Sequence, residues 1–232
     1  MLRRTSGLPV AAHLTCVGAS KAETLEVADS FAEIGVTDIV ALRGDPENGA
    51  PTFTPHADGF ADSVELIEAL AKTGKFTLRV GAYPEPHPES HDQAQNVEWL
   101  KRKFDAGADE AITQFFFETE TFLRFRDACA AAGITKTITP GIMPVTNWKS
   151  ARNFATRCGA SVPAALDEAY AAAIRDDRHD LLSTALCTEM CSELVSEGVE
   201  NLHFYTLNRP ELTRAVCRAL GVTAQTSLSD VA

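Results

Sequence analysis

Along the chain, short runs of apolar residues alternate with longer stretches whose apolar positions recur every three or four residues. Six runs have the length and content of buried strands: "AAHLTCVG", "TDIVALRGD", "FTLRVGAYP", "EAITQFFF", "KTITPGIMP" and "LHFYTLNR". Between them, "KAETLEVADSFAEIG", "GFADSVELIEALAKTG", "NVEWLKRKFDAGA" and "ETFLRFRDACAAAG" carry the helical period, and three of these four close on glycine, as a helix C-terminus favours. Strand followed by helix, repeated, predicts parallel strands joined by right-handed helical crossovers.

Two architectures satisfy that alternation, an open doubly wound sheet and a (β/α) barrel. No G-x-G-x-x-G follows the first strand, which weakens the dinucleotide-binding version of the open sheet. Polar and special residues gather where the strands end: His13, Arg43-Gly44-Asp45, Tyr83 to Ser90, Gln114, Pro144 to Asn147 and Asn208-Arg209. A barrel brings those ends to one face and builds its active site there. The expected fold is therefore α/β of the (β/α)8 TIM-barrel type, with about six of the eight βα units in this chain. From about Ser161 to Gly198 there is more helix than one crossover needs, so an extra helix is expected. No linker composition or repeat interrupts the chain, and residues 1–232 read as a single, incomplete barrel domain.

Composition narrows the function classes. Hydrophobic residues make up 45% and charged residues 23% of the 232, ordinary values for a globular chain. No apolar run approaches the roughly 20 residues that cross a bilayer, and a net charge of -11 argues against non-specific nucleic-acid binding, which needs a basic face. Six scattered cysteines, several of them inside helical patterns, predict reduced thiols and a cytoplasmic protein rather than a disulfide framework. Cys187 and Cys191 are spaced i,i+4 but have no second pair to complete a zinc site, so no metal is expected. The opening "MLRRTSGLPVAAHLTC" sets Arg3 and Arg4 before a short apolar stretch broken by Pro9 and His13, and reads as a mature N-terminus.

The segment "GAYPEPHPES" follows the third strand and carries three prolines. Proline fixes φ and lowers the entropy of the unfolded loop, which would hold Tyr83 and His87 in place on a βα loop; the alternative is a rigid surface turn. A metal-dependent hydrolase built on His13, His87 and His91 is a rival, but Pro88 makes a helix through "HPESH" improbable.

Together "HLTC", "IVALRGDP", "VGAYPEPHPE", "LKRKFDAGAD", "AITQFFF", "RFRDACAAAGI", "ITPGIMPV" and "HFYTLNR", in this order, resemble the methylenetetrahydrofolate reductase family across nearly the whole chain. The resemblance implies a (β/α)8 barrel with non-covalent FAD. It also implies reduction of 5,10-methylenetetrahydrofolate to 5-methyltetrahydrofolate by NAD(P)H, in one-carbon and methionine metabolism, by a homo-oligomer. His13, Arg43, Gly44, Asp45, Ala61, Tyr83, His87, Ser90, Arg102 and Lys103 match family positions that contact FAD. Arg102 and Lys103 would supply cations to its pyrophosphate; without the family context "LKRK" reads as a solvated helix face. Asp45, Gln114, Phe154 and Arg209 match folate-side positions, with a glutamine amide suited to a pterin edge and a phenylalanine to an aromatic ring. Asp45 is also the catalytic expectation, tuning the field beside flavin and pterin; its alternative is a turn aspartate capping the next element.

The family pattern usually opens on a strand reading approximately "FEFFPPK", whose glutamate is the general acid. Aligned on "HLTC", this sequence starts near the third strand of that pattern. The alternative expectation is accordingly a non-catalytic or half-reaction-only FAD and folate-binding remnant.

Overall fold

The computed structural model describes residues 7–46 and 52–222. Among them six strands and eight helices follow the predicted alternation: β1 (Ala11–Thr15), α1 (Lys21–Glu33), β2 (Asp38–Leu42), α2 (Ser63–Thr73), β3 (Thr77–Ala82), α3 (Gln93–Asp105), β4 (Glu110–Phe115), α4 (Thr119–Ala131), β5 (Thr137–Ile142), α5 (Trp148–Cys158), α6 (Ala164–Arg175), α7 (His179–Ser196), β6 (His203–Phe204) and α8 (Pro210–Ala219). Hydrogen bonding in the sheet runs in chain order, β1-β2-β3-β4-β5-β6. The pairs β1/β2, β2/β3 and β5/β6 are parallel. Each of the six apolar runs contains a strand, and the fold is α/β with a six-strand parallel sheet. No described helix is long and apolar enough to cross a membrane.

The described residues fall into two compact units, 7–82 with 98–111, and 83–97 with 112–222. In the first, β3 alternates, burying Leu78, Val80 and Ala82 on one side. Helix α2 sinks Leu66, Ile67 and Leu70, spaced three and four apart, while its other side carries Glu68 and Lys72 to water. Its ends are well defined: the Asp62 carboxylate accepts hydrogen bonds from Val64 N at 2.7 Å and Glu65 N at 3.0 Å, and Gly74 closes the helix in the left-handed region. Helix α1 opens with a capping box between Ser20 and Glu23.

Charge pins the start of the strands in this unit. Arg79 on β3 pairs with Asp38 on β2 and, through Nε at 2.9 Å, with Glu110. Burial works against ionisation of Asp38, but the hydrogen bonds from Arg79 and Thr37 outweigh it and hold the carboxyl below its ordinary value. The Asp109 carboxylate accepts from Leu78 N at 2.8 Å, and Asp109 N donates to Leu78 O at 2.8 Å.

The second unit is built on two apolar clusters. Phe115 sits with Trp148, Ala151, Ala155 and Tyr170, whereas its neighbour Phe116 sits with Phe122, Ile142, Cys191 and Leu194. The extra helix expected after Ser161 is two, α6 and α7. Trp148 of α5 stacks on Tyr170 of α6 at 4.4 Å and 7°, and its Nε1 donates to Asp167 at 2.9 Å. Ser183 of α7 donates to the Tyr170 hydroxyl at 3.2 Å, so the three helices are joined through one aromatic residue.

Candidate functional site

In the first unit, Arg43, Gly44 and Asp45 follow β2 directly. Gly44 has φ +90, and a Cβ there would come within 2.6 Å of Val17 Cγ1 and 3.1 Å of Thr15 Cβ. Both the conformation and the space demand glycine, which explains why the Arg-Gly-Asp sequence sits at this turn. The Cys16 thiol donates to Arg43 O at 3.4 Å, and the Arg43 guanidinium lies 4.9 Å from the centre of the Phe53 ring. Asp45 is exposed, and Ala61, also exposed, donates its N–H to Glu65. His13 lies inside β1, in register with Val40, rather than beyond the strand end; its side chain is exposed.

Lys103 differs most from its sequence appearance. The "LKRK" run is split by the helix: Arg102 is exposed and stacks over Trp99 at 4.4 Å, whereas Lys103 is 6% exposed and donates from Nζ to Gly81 O at 2.7 Å. Burial first, and then repulsion from the nearby Arg43, push its ammonium down to about 8, with Asp62 pulling the other way. Two cations thus lie close together inside a protein of net charge -11, one of them desolvated. Positive charge of this kind suits an anionic group such as a phosphate ester.

The second unit carries the proline segment. Tyr83 and His87 meet edge to face at 4.5 Å and 76°. His87 O accepts from Ser90 N at 2.7 Å, and His87 Nδ1 accepts from Glu89 N at 3.1 Å, which puts the neutral ring's proton on Nε2. The loop is seated on the end of α5, where Gly159 lets Pro86 approach: a Cβ at 159 would stand 2.9 Å from Pro86 O. Glu85 accepts from Ser161 N at 2.9 Å.

Two amides tie this loop to the first turn of α3. Gln93 Nε2 donates to Tyr83 O at 3.1 Å, and Asn96 Nδ2 donates to Tyr83 O at 3.3 Å and to Glu85 O at 2.9 Å. Gln93 Oε1 is buried with no hydrogen-bond partner. Sequence reasoning did not single out Gln93. The available signal was a pair of amides at i,i+3 following a segment whose prolines lack N–H groups.

Among the folate-side candidates, Gln114 lies on β4, and its Oε1 accepts from Phe115 N at 3.0 Å, so its amide oxygen satisfies a backbone group. Phe154 stacks on Phe115 at 5.4 Å and 23°, with Arg157 5.6 Å from the centre of its ring. Arg209 is exposed at the start of α8. None of these lines the apolar cavity of about 340 Å³ that lies against Phe116, Met143, Tyr170, Leu186 and Met190.

Within the first unit, the cations Lys103 and Arg43 and the Gly44 turn are groups suited to the phosphates of a cofactor such as FAD; within the second, the Gln93 acceptor is suited to a hydroxyl. Comparison with known proteins gives the family. A family model for methylenetetrahydrofolate reductase matches residues 1–221. The 5,10-methylenetetrahydrofolate reductase of Pectobacterium carotovorum is 42% identical over 223 residues, covering 95% of this chain and 72% of that protein. The enzyme of the same name from Escherichia coli K12 is 40% identical over 224 residues, covering 95% and 73%. Among solved structures, an uncharacterized protein from Clostridium thermocellum, described as binding two copies of 5-methyl-5,6,7,8-tetrahydrofolic acid, has a TM-score of 0.51 at 14% identity. That match covers 95% of this chain and 96% of the other, and shows likeness of fold.

Proposed function

The chain belongs to the methylenetetrahydrofolate reductase family, and on that premise we propose that it binds FAD and uses NADH or NADPH to reduce 5,10-methylenetetrahydrofolate to 5-methyltetrahydrofolate. The observation that carries the cofactor half of this reading is the buried Lys103 beside Arg43. A desolvated ammonium close to a second cation places positive charge where the phosphates of a bound cofactor would carry the opposite charge. The six βα units are proposed to belong to a (β/α)8 barrel, a reading supported by the strand–helix alternation and the chain-order sheet.

FAD, when bound, supplies the hydride acceptor and donor of the reaction, which the protein's own side chains cannot provide. Arg43, Arg102 and Lys103 would neutralise its phosphates, and the Gly44 turn would present backbone to it. His13, Asp45, Ala61, Tyr83, His87 and Ser90 would complete the contacts, with the His87 Nε2–H as a donor. On the folate side, Phe154 would offer a ring already backed by Phe115, and the Gln114 amide a donor to the pterin edge. Arg209 would pair with a substrate carboxylate, and Asp45 would bias the charge developing beside it.

Purified chain loaded with FAD and tested in two halves decides the matter. A stoichiometric flavin spectrum, NAD(P)H oxidation with menadione and reduction of methylenetetrahydrofolate are the expected results. Failure to retain flavin would refute the cofactor reading; flavin reduction without folate reduction would leave an FAD protein whose second half-reaction is dead.

A further inference from the structure

The loop that the sequence marks by its prolines has little backbone capacity to hold itself. Pro84, Pro86 and Pro88 have no N–H, so alternate residues cannot donate, while every carbonyl still needs a donor. The structure answers with side-chain amides. Tyr83 O receives two hydrogen bonds and Glu85 O one, all from Gln93 and Asn96, which stand one helical turn apart at the start of α3. Asn96 is 6% exposed, so its amide is committed to this contact and does not exchange it for water.

We infer that Gln93 and Asn96 are positioning residues that fix the Tyr83–Ser90 loop for cofactor binding, and that the buried Oε1 of Gln93 accepts a hydrogen bond from a hydroxyl of the bound cofactor. This rests on the FAD reading above. The chemistry is specific to amides. Each is a donor toward the loop carbonyls, and Gln93 has an acceptor left over after its donor is used. A carboxylate in either place keeps the shape but cannot donate, and would set its oxygens against Tyr83 O and Glu85 O. The fold makes the contact short-range: the amides sit 10 to 13 residues beyond the first carbonyl they hold. The Tyr83–His87 edge contact and the His87 tautomer therefore depend on the start of α3.

The test combines amide hydrogen exchange on the full chain without cofactor with FAD titration by flavin fluorescence. Asn96→Asp is expected to speed exchange at Glu85, His87, Glu89 and Ser90 about tenfold, with exchange in α2 and α4 unchanged, and to weaken FAD binding about tenfold. Gln93→Glu removes one donor and should act in the same direction more weakly, which keeps the test alive if Asn96→Asp does not fold. Gln93→Met also removes the acceptor, so it should weaken FAD binding by a further factor of about five beyond Gln93→Glu. Unchanged loop exchange in both carboxylate variants overturns the clamp, and equal FAD affinity of the Met and Glu variants overturns the hydroxyl contact. If the unaltered chain takes up no FAD, the cofactor reading fails, while the exchange data still decide the clamp.

Discussion

At the scale of single residues, the candidate site is governed by groups whose environment contradicts their type. Lysine is normally a surface residue, yet Lys103 is buried and held at about 8. Below pH 8 both folded and unfolded chains carry its proton, so the burial penalty is fully present. Between about pH 8 and the ordinary lysine value near 10.4 the unfolded chain binds more protons, and the Lys103 contribution to stability rises with pH. Urea unfolding of the cofactor-free chain and of Lys103→Met, from pH 7.5 to 10.5, should show their stability difference changing by on the order of 3 kcal/mol. A difference that stays flat would contradict the assignment. Gly44 is the second such residue: Gly44→Ala must accept φ +90 and the 2.6 Å approach to Val17, and should destabilise the chain by about 2 kcal/mol in the same assay.

At the scale of elements, the sequence patterns translate closely where a local rule sets the outcome. The strand runs lie where alternation put them, and α2 starts at the aspartate and stops at the glycine that cap it. Asp62→Ala should lower stability by about 1 kcal/mol through loss of the two N-cap hydrogen bonds, measurable by thermal unfolding. The loop after β3 was legible only in part. Three prolines announced a stiff segment, but what holds it lies outside the segment, in the amides of α3 and the close approach of Gly159. Likewise, excess helix after Ser161 was visible, while its resolution into α6 and α7 around Tyr170 depends on packing.

At the scale of the whole molecule, a protein of net charge -11 would need to gather cations to bind a dianionic cofactor, and Arg43 lies close enough to the buried Lys103 to repel its ammonium. If FAD occupies that site in the folded chain alone, stability rises with its concentration, by about 2.7 kcal/mol at a hundred times Kd. Scanning calorimetry across an FAD series should show the midpoint climbing steadily; a concentration-independent midpoint would count against binding. The sequence by itself determined the α/β alternation, the six strands and the family, because these rest on periodicity, cap residues and motif order, all readable in neighbouring residues. Tertiary structure alone decided which cation of "LKRK" is desolvated, which amides hold the proline loop and why Gly44 cannot carry a side chain. Those outcomes depend on atoms brought together from distant or differently oriented stretches, and burial, hydrogen-bond partners and close approach do not exist until the chain has folded. The "GAYPEPHPES" loop shows both: its stiffness is written in its prolines, and its position is set by Gln93 and Asn96.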